Sequence, residues 1–69
     1  MKLVAKYYTV YKNDMGYFCP SDWHYQSLAL AEKEVEDSED DWVINEVTIY
    51  FHDDGGVTVY EETVLEKGE

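Results

Sequence analysis

Two runs in the second half of the chain carry the clearest hydrophobic patterning. Trp42–Phe51 (WVINEVTIYF) and Val57–Leu65 (VTVYEETVL) are dense in β-branched and aromatic residues, the composition of strands. Between them Asp53-Asp54-Gly55 suits a three-residue hairpin loop with glycine in the left-handed position. That loop sets a register. One face pairs His52 with Gly56, Tyr50 with Thr58, Thr48 with Tyr60, Glu46 with Glu62 and Ile44 with Val64. The other pairs Phe51 with Val57, Ile49 with Val59, Val47 with Glu61, Asn45 with Thr63 and Val43 with Leu65. The second face is more aliphatic and is expected to meet a helix. The first carries aromatics, threonines and two directly opposed glutamates, an arrangement that costs stability.

The first half is patterned more weakly. Leu3–Tyr11 (LVAKYYTVY) reads as a strand whose odd positions, Leu3, Ala5, Tyr7, Thr9 and Tyr11, avoid lysine. Lys2, Lys6 and Lys12 fall on the even side, so the odd face is assigned to the core. Asn13-Asp14-Met15-Gly16 is a turn sequence. Tyr17-Phe18-Cys19 predicts a short return strand closed by Pro20. Ser21 could cap a brief helical turn, but Ser27 is the better N-cap, opening a helix over Leu28–Asp37 with Leu28, Ala31 and Val35 as its apolar stripe. The expected architecture is α+β in one domain, residues 1–69. It is a small antiparallel sheet of three to four strands with one helix on one face, in order ββαββ, or βαββ if the return strand fails.

Composition adds a constraint and a clue. A chain of 69 residues buries about 60% of the surface its unfolded form exposes, so its stability margin is thin. Aromatics compensate, with seven Tyr, two Phe and two Trp; a disordered acidic tail would lack them. One cysteine permits no internal disulfide and favours a reducing cytoplasm. Lysines interrupt the N-terminus, and no apolar run approaches the roughly 20 residues of a membrane helix. A soluble cytoplasmic protein is expected.

Sixteen acids oppose five lysines, for a formal charge of −11. The charge is uneven: residues 1–19 hold three lysines and one acid, residues 20–69 two lysines and fifteen acids. Glu32–Asp41 (EKEVEDSEDD) alone contains seven acids, several of them at the helix C-terminus, where the macrodipole disfavours anions. Solubility normally needs a net charge of only about 2–8 in a small domain. Direct binding to nucleic acid or anionic membrane is disfavoured by such a surface, and a basic protein is its natural counterpart.

Catalytic and metal signals are weak. Cys19 and His24 are the one nucleophile–base pair available, with no oxyanion hole in view, and no enzyme activity is expected. Asp53-Asp54-Gly55-Gly56 and Glu39-Asp40-Asp41 lack the ligand spacing of a calcium loop, and Cys19, His24 and His52 do not make a zinc site. No metal or cofactor is expected. Tyr50, Tyr60, Trp42 and His52 form an aromatic group which, if the helix leaves it bare, reads first as a homodimer face or ordinary cross-strand packing and second as a partner contact.

In size, acidity and aromatic content, with Glu32–Asp41 and the acids Glu46, Asp53, Asp54, Glu61 and Glu62, the chain resembles the small acidic DNA-mimic inhibitors, many of them phage-encoded. That resemblance implies binding to the DNA site of a basic host protein, such as a nucleoid-associated protein, a restriction or CRISPR effector, or uracil-DNA glycosylase, in the host bacterial cytoplasm. Carboxylates four apart on a helix lie about 5–6 Å from one another and alternate strand residues about 6.8 Å, spacings that approximate a phosphate row. The expected contact residues are Glu32, Glu36, Asp37, Glu39, Asp40, Asp41, Glu46, Asp53, Asp54, Glu62, Tyr50 and Tyr60. The alternative is an interaction or adaptor module that binds through its aromatic sheet face without DNA mimicry.

Overall fold

The computed structural model describes residues 2–67, the side chains of Asp14, Ser21, Asp22 and Trp23 excepted. Its elements run β1 (Lys2–Asp14), β2 (Tyr17–Tyr25), α1 (Leu28–Val35), β3 (Trp42–Phe51) and β4 (Val57–Lys67), the expected ββαββ order. All strand pairs are antiparallel, in spatial order β2-β1-β3-β4. β2 and β3 therefore run parallel to each other on either side of β1, joined by the helical crossover: a split β-α-β unit.

The turns follow from local chemistry. Met15 and Gly16 both have positive φ, 54° and 93°, as a two-residue hairpin requires, and Asn13 Oδ1 accepts the Gly16 amide at 3.0 Å. At the second hairpin Gly55 takes φ 90°, Gly55 N donates to His52 O at 3.0 Å, and Asp54 Oδ1 accepts Gly56 N at 2.8 Å. Ser27 caps α1, its Oγ accepting Leu30 N at 3.2 Å.

The β3–β4 register matches expectation from Phe51↔Val57 through Asn45↔Thr63. Beyond that Val64 is an extra residue, so Ile44 faces Leu65 and Val43 faces Glu66. Two other expectations are corrected. β2 does not stop at Cys19; it continues through Pro20 and Ser21 to Tyr25. It is an edge strand whose pairing with β1 shifts between Thr9 and Tyr11, and edges and bulges are where a strand tolerates proline. The helix ends at Val35 rather than Asp37.

The larger correction concerns which face is covered. Val10, Ala31, Val35 and Ile44 form the buried cluster, with Tyr8, Tyr25, Leu28, Trp42 and Leu65 packed against it. Val10 opposes Ile44 and Tyr8 opposes Glu46, so the helix lies on the even face of β1 that bears Lys6 and Lys12. The register shift between Leu3 and Ala5 turns Lys2, opposite Phe51, to the other face. The more aliphatic hairpin face, with Val47, Ile49, Phe51, Val57 and Val59, has no element over it among the described residues. Two causes are visible. A crossover joining parallel strands is overwhelmingly right-handed, so the strand order dictates the helix side whatever the hairpin's apolar count. The lysines also belong there: Lys12 reaches Glu34 on the helix at 3.2 Å, and Lys6 reaches Glu46 at 3.8 Å.

Candidate functional site

The acids divide into three groups. The first surrounds the C-terminal end of α1. Burying Ala31 and Val35, one helical turn apart, leaves Glu32, Glu34 and Glu36 exposed, and the chain then runs through exposed Asp37, Glu39 and Asp40 and half-buried Asp41 into β3. Glu32, Glu36, Ser38, Val35, Trp42 and Lys67 line an open groove of about 380 Å³. Crowding is relieved from outside the acidic segment. Lys67 on β4 donates to Ser38 O at 2.8 Å and lines the groove beside Glu32 and Glu36, and Lys12 on β1 pairs with Glu34. A backbone bond from the Asn13 amide to Asp41 O at 2.9 Å ties the end of the segment to β1. Among the described residues Glu32, Glu36, Asp37, Glu39, Asp40 and Asp41 have no ion pair within 4 Å.

The second group lies further along the same sheet face. An eight-residue helix is about 12 Å long, whereas ten strand residues span about 34 Å, so α1 leaves much of its own face open. There Glu46 and Glu62 oppose each other across β3 and β4. Glu46 is balanced: it accepts Tyr8 OH at 2.9 Å and pairs with Lys6. Glu62 has no such partner among the described residues. Lys6, Thr48, Tyr50 and Tyr60 border the pair in a groove of about 390 Å³, with the two tyrosine rings edge to face at 5.8 Å and 78°.

Asp53 and Asp54 are the third group, at the far tip of the hairpin. The length of β3 separates them from the helix end, and Asp54 is committed to its turn. Of the expected contact residues, Glu32 and Glu36 line one groove and Glu46, Glu62, Tyr50 and Tyr60 the other, both on the helix side. Asp37, Glu39, Asp40 and Asp41 follow the helix end into β3, and Asp53 and Asp54 stand apart. Trp42 and His52 share that side. Trp42 packs beside the core at the opposite end of β3 from Tyr50, whereas His52 Nε2 hydrogen-bonds Thr58 Oγ1, the hydroxyl of Tyr50's cross-strand partner.

Missing from the sequence reading was a polar network on the bare face. Glu61 Oε2 accepts Tyr11 OH at 3.1 Å and Asn45 Nδ2 at 2.8 Å, and Thr63 Oγ1 donates to Asn45 Oδ1 at 2.8 Å. The hairpin register already placed Glu61 and Thr63 beside Asn45; only the β1–β3 pairing brings Tyr11. Both buttressing phenols titrate above the ordinary tyrosine value of 10.0. For Tyr8 the hydrogen bond to the Glu46 carboxylate dominates, then burial, then the Glu46 charge. For Tyr11 burial leads, followed by the hydrogen bond and charge of Glu61 and the influence of Tyr7.

Cys19 pairs with Lys12 and His24 with Thr9, placing them on opposite faces of the sheet, and His24 stacks on Tyr7 at 4.6 Å. The imidazole is not placed to act as a base for the thiol. Among the described residues no three His, Cys, Asp or Glu side chains converge as metal ligands, and no helix is long and apolar enough to cross a membrane. Compared with known protein families, curated protein sequences and solved structures, the chain matches none.

Proposed function

We propose that the chain is a DNA-mimic inhibitor whose helix-bearing side occupies the DNA-binding surface of a basic protein. The observation that carries the reading is the sidedness of the charge. Glu32 and Glu36 on α1 and the Glu46–Glu62 pair lie on the helix side of the sheet, with the acidic segment Asp37–Asp41 following the helix end. Apart from Glu46, none of these acids has an ion pair among the described residues. The other side carries mainly apolar and uncharged side chains. Long-range attraction steers a cationic groove onto such a side, and its lysines and arginines meet carboxylates where phosphates would lie. Asp53 and Asp54 are too distant to share one short contact with the helix end and serve only a partner that follows the sheet lengthwise. No cofactor takes part, and the cytoplasm of a bacterial host is the setting this role requires.

Tyr50 and Tyr60 support a second reading, an adaptor that binds through its aromatics, because their ring pair borders an open groove. They share that groove with Glu46 and Glu62, so the two readings compete for one surface and differ in what supplies the affinity. Capture from bacterial lysate on the immobilised chain separates them. Mimicry predicts a partner that elects duplex DNA over the chain when DNA is added and elutes by about 0.5 M salt, where the screening length falls to a few ångströms. A captured partner indifferent to both, yet lost on Tyr50→Ala or Tyr60→Ala, establishes the adaptor.

A further inference from the structure

We propose that the bare face of the sheet is the interface of a homodimer, two copies packing sheet against sheet with their acidic sides outward. This goes beyond the reading above and does not depend on it.

The first argument is the apolar surface itself. Phe51, Val57 and Val59 stand 50%, 52% and 57% exposed on this face, around half-buried Ile49 and buried Val47. On the helix side only Val10, Ala31, Val35 and Ile44 are fully enclosed. A core that small rarely sustains a chain of this length, and oligomerisation is one of the few remedies open to a chain that forms no disulfide and gathers no metal ligands among its described residues.

Charge identifies the occupant. A chain with a formal charge of −11 repels a second copy almost everywhere. Within the strands the described residues place three charged side chains on the bare face, Lys2, Glu61 and Glu66, with Asp41 at its margin opposite Asn13. Glu61 is already held by Tyr11 and Asn45. Among the described residues it is the broad surface with the sparsest negative charge, and so the one across which two such anions approach most readily. A basic partner gains little there, since the carboxylates that would attract it point the other way.

Size agrees. Four strands about 4.8 Å apart and about ten residues long make a face on the order of 600–700 Å² before side-chain relief is counted. A stable interface buries about 800 Å² from each partner. Sheets that pack face to face sit about 10 Å apart with interleaved side chains, and a two-fold axis makes the contact self-complementary. The free edge of β4 is a poorer meeting place. Antiparallel pairing about a two-fold would bring the central Glu61-Glu62 of each copy together, and opposed like charges guard an edge against that.

Sedimentation of the full chain over a concentration series, at about 0.15 M and about 0.5 M salt, tests the proposal. A dimer is expected, tighter at the higher salt because screening removes repulsion while apolar burial persists. Binding of a basic partner weakens under the same change, so failure of one proposal is distinguishable from failure of the other. Val59→Lys should weaken the dimer on the order of 100-fold, because the two-fold axis places both lysines in the contact. Tyr60→Lys, on the opposite face of the same strand, should leave it intact. A wild-type chain that stays monomeric at both salts, a dimer that survives Val59→Lys, or one that Tyr60→Lys dissolves would each overturn the proposal; the wild-type measurement stands even if a variant fails to fold.

Discussion

The two faces of one sheet have opposite relations to water and charge. On the helix side the aliphatic residues of the sheet are few, and those beneath α1, Val10 and Ile44, are enclosed, while the open part of that face is rich in carboxylate, lysine and tyrosine. On the other side aliphatic residues are more numerous yet several are half exposed, and charge is sparse. Burial therefore does not follow the local count of apolar residues. It follows where the crossover takes the helix. The helix side carries the fold's enclosed core and its cation-attracting surface together, while the bare side carries surface the fold has not used.

The comparison breaks most visibly at the core. Ile44→Ala should cost about 2–5 kcal/mol in urea unfolding, a large share of what a chain of this size possesses. Val59→Ala, measured at dilution where the chain is monomeric, should cost less than about 1 kcal/mol, since the side chain is largely solvated. Equal losses would mean that the helix does not define the core.

Charge gives the next effect. Asp40→Lys with Asp41→Lys should lower affinity for a captured basic partner by at least about tenfold at low salt, and the difference should shrink as salt rises. Asp53→Lys at the distant tip should act weakly in titration calorimetry. A stronger effect at the tip would move the contact to the hairpin end.

A smaller loss is expected at the helix start. Ser27→Ala removes the acceptor of the Leu30 amide and should cost about 1 kcal/mol, read as a lower urea midpoint with unchanged slope. The smallest effect is alkaline. Tyr8 and Tyr11 have folded-state values raised above 10.0, so the folded chain keeps protons that the unfolded chain releases. Their contribution is complete below about pH 10 and is lost as pH rises through the folded values. Replacing both with Phe should flatten that part of the alkaline descent in melting temperature. An unchanged slope would remove both phenols from the explanation.

Much of this was readable from the residues. Asp53-Asp54-Gly55 and the alternation on either side specified the β3–β4 hairpin and its register as far as Asn45, because a short loop leaves strands little freedom. Ser27 announced the helix, and the seven acids of Glu32–Asp41 announced the charge. The covered face was not readable. It depends on β1 lying between β2 and β3 and on the extra Val64 that turns Leu65 toward Ile44, both long-range facts. Reading Lys6 and Lys12 as marks of a solvent face failed for a related reason: their ammonium groups meet Glu46 and Glu34, residues far away in sequence. The candidate site divides the same way. Grouping Glu32 to Asp41 needed only local sequence, whereas separating them from Asp53 and Asp54 needed the length and direction of β3.

Competition for a purified partner decides whether the acidic side stands in for DNA. With the captured basic protein bound to labelled duplex, rising concentrations of the chain should increase the apparent dissociation constant for duplex in direct proportion, with no ternary complex. A partner that holds the chain and the duplex together, each at unchanged affinity, would contradict the mimicry.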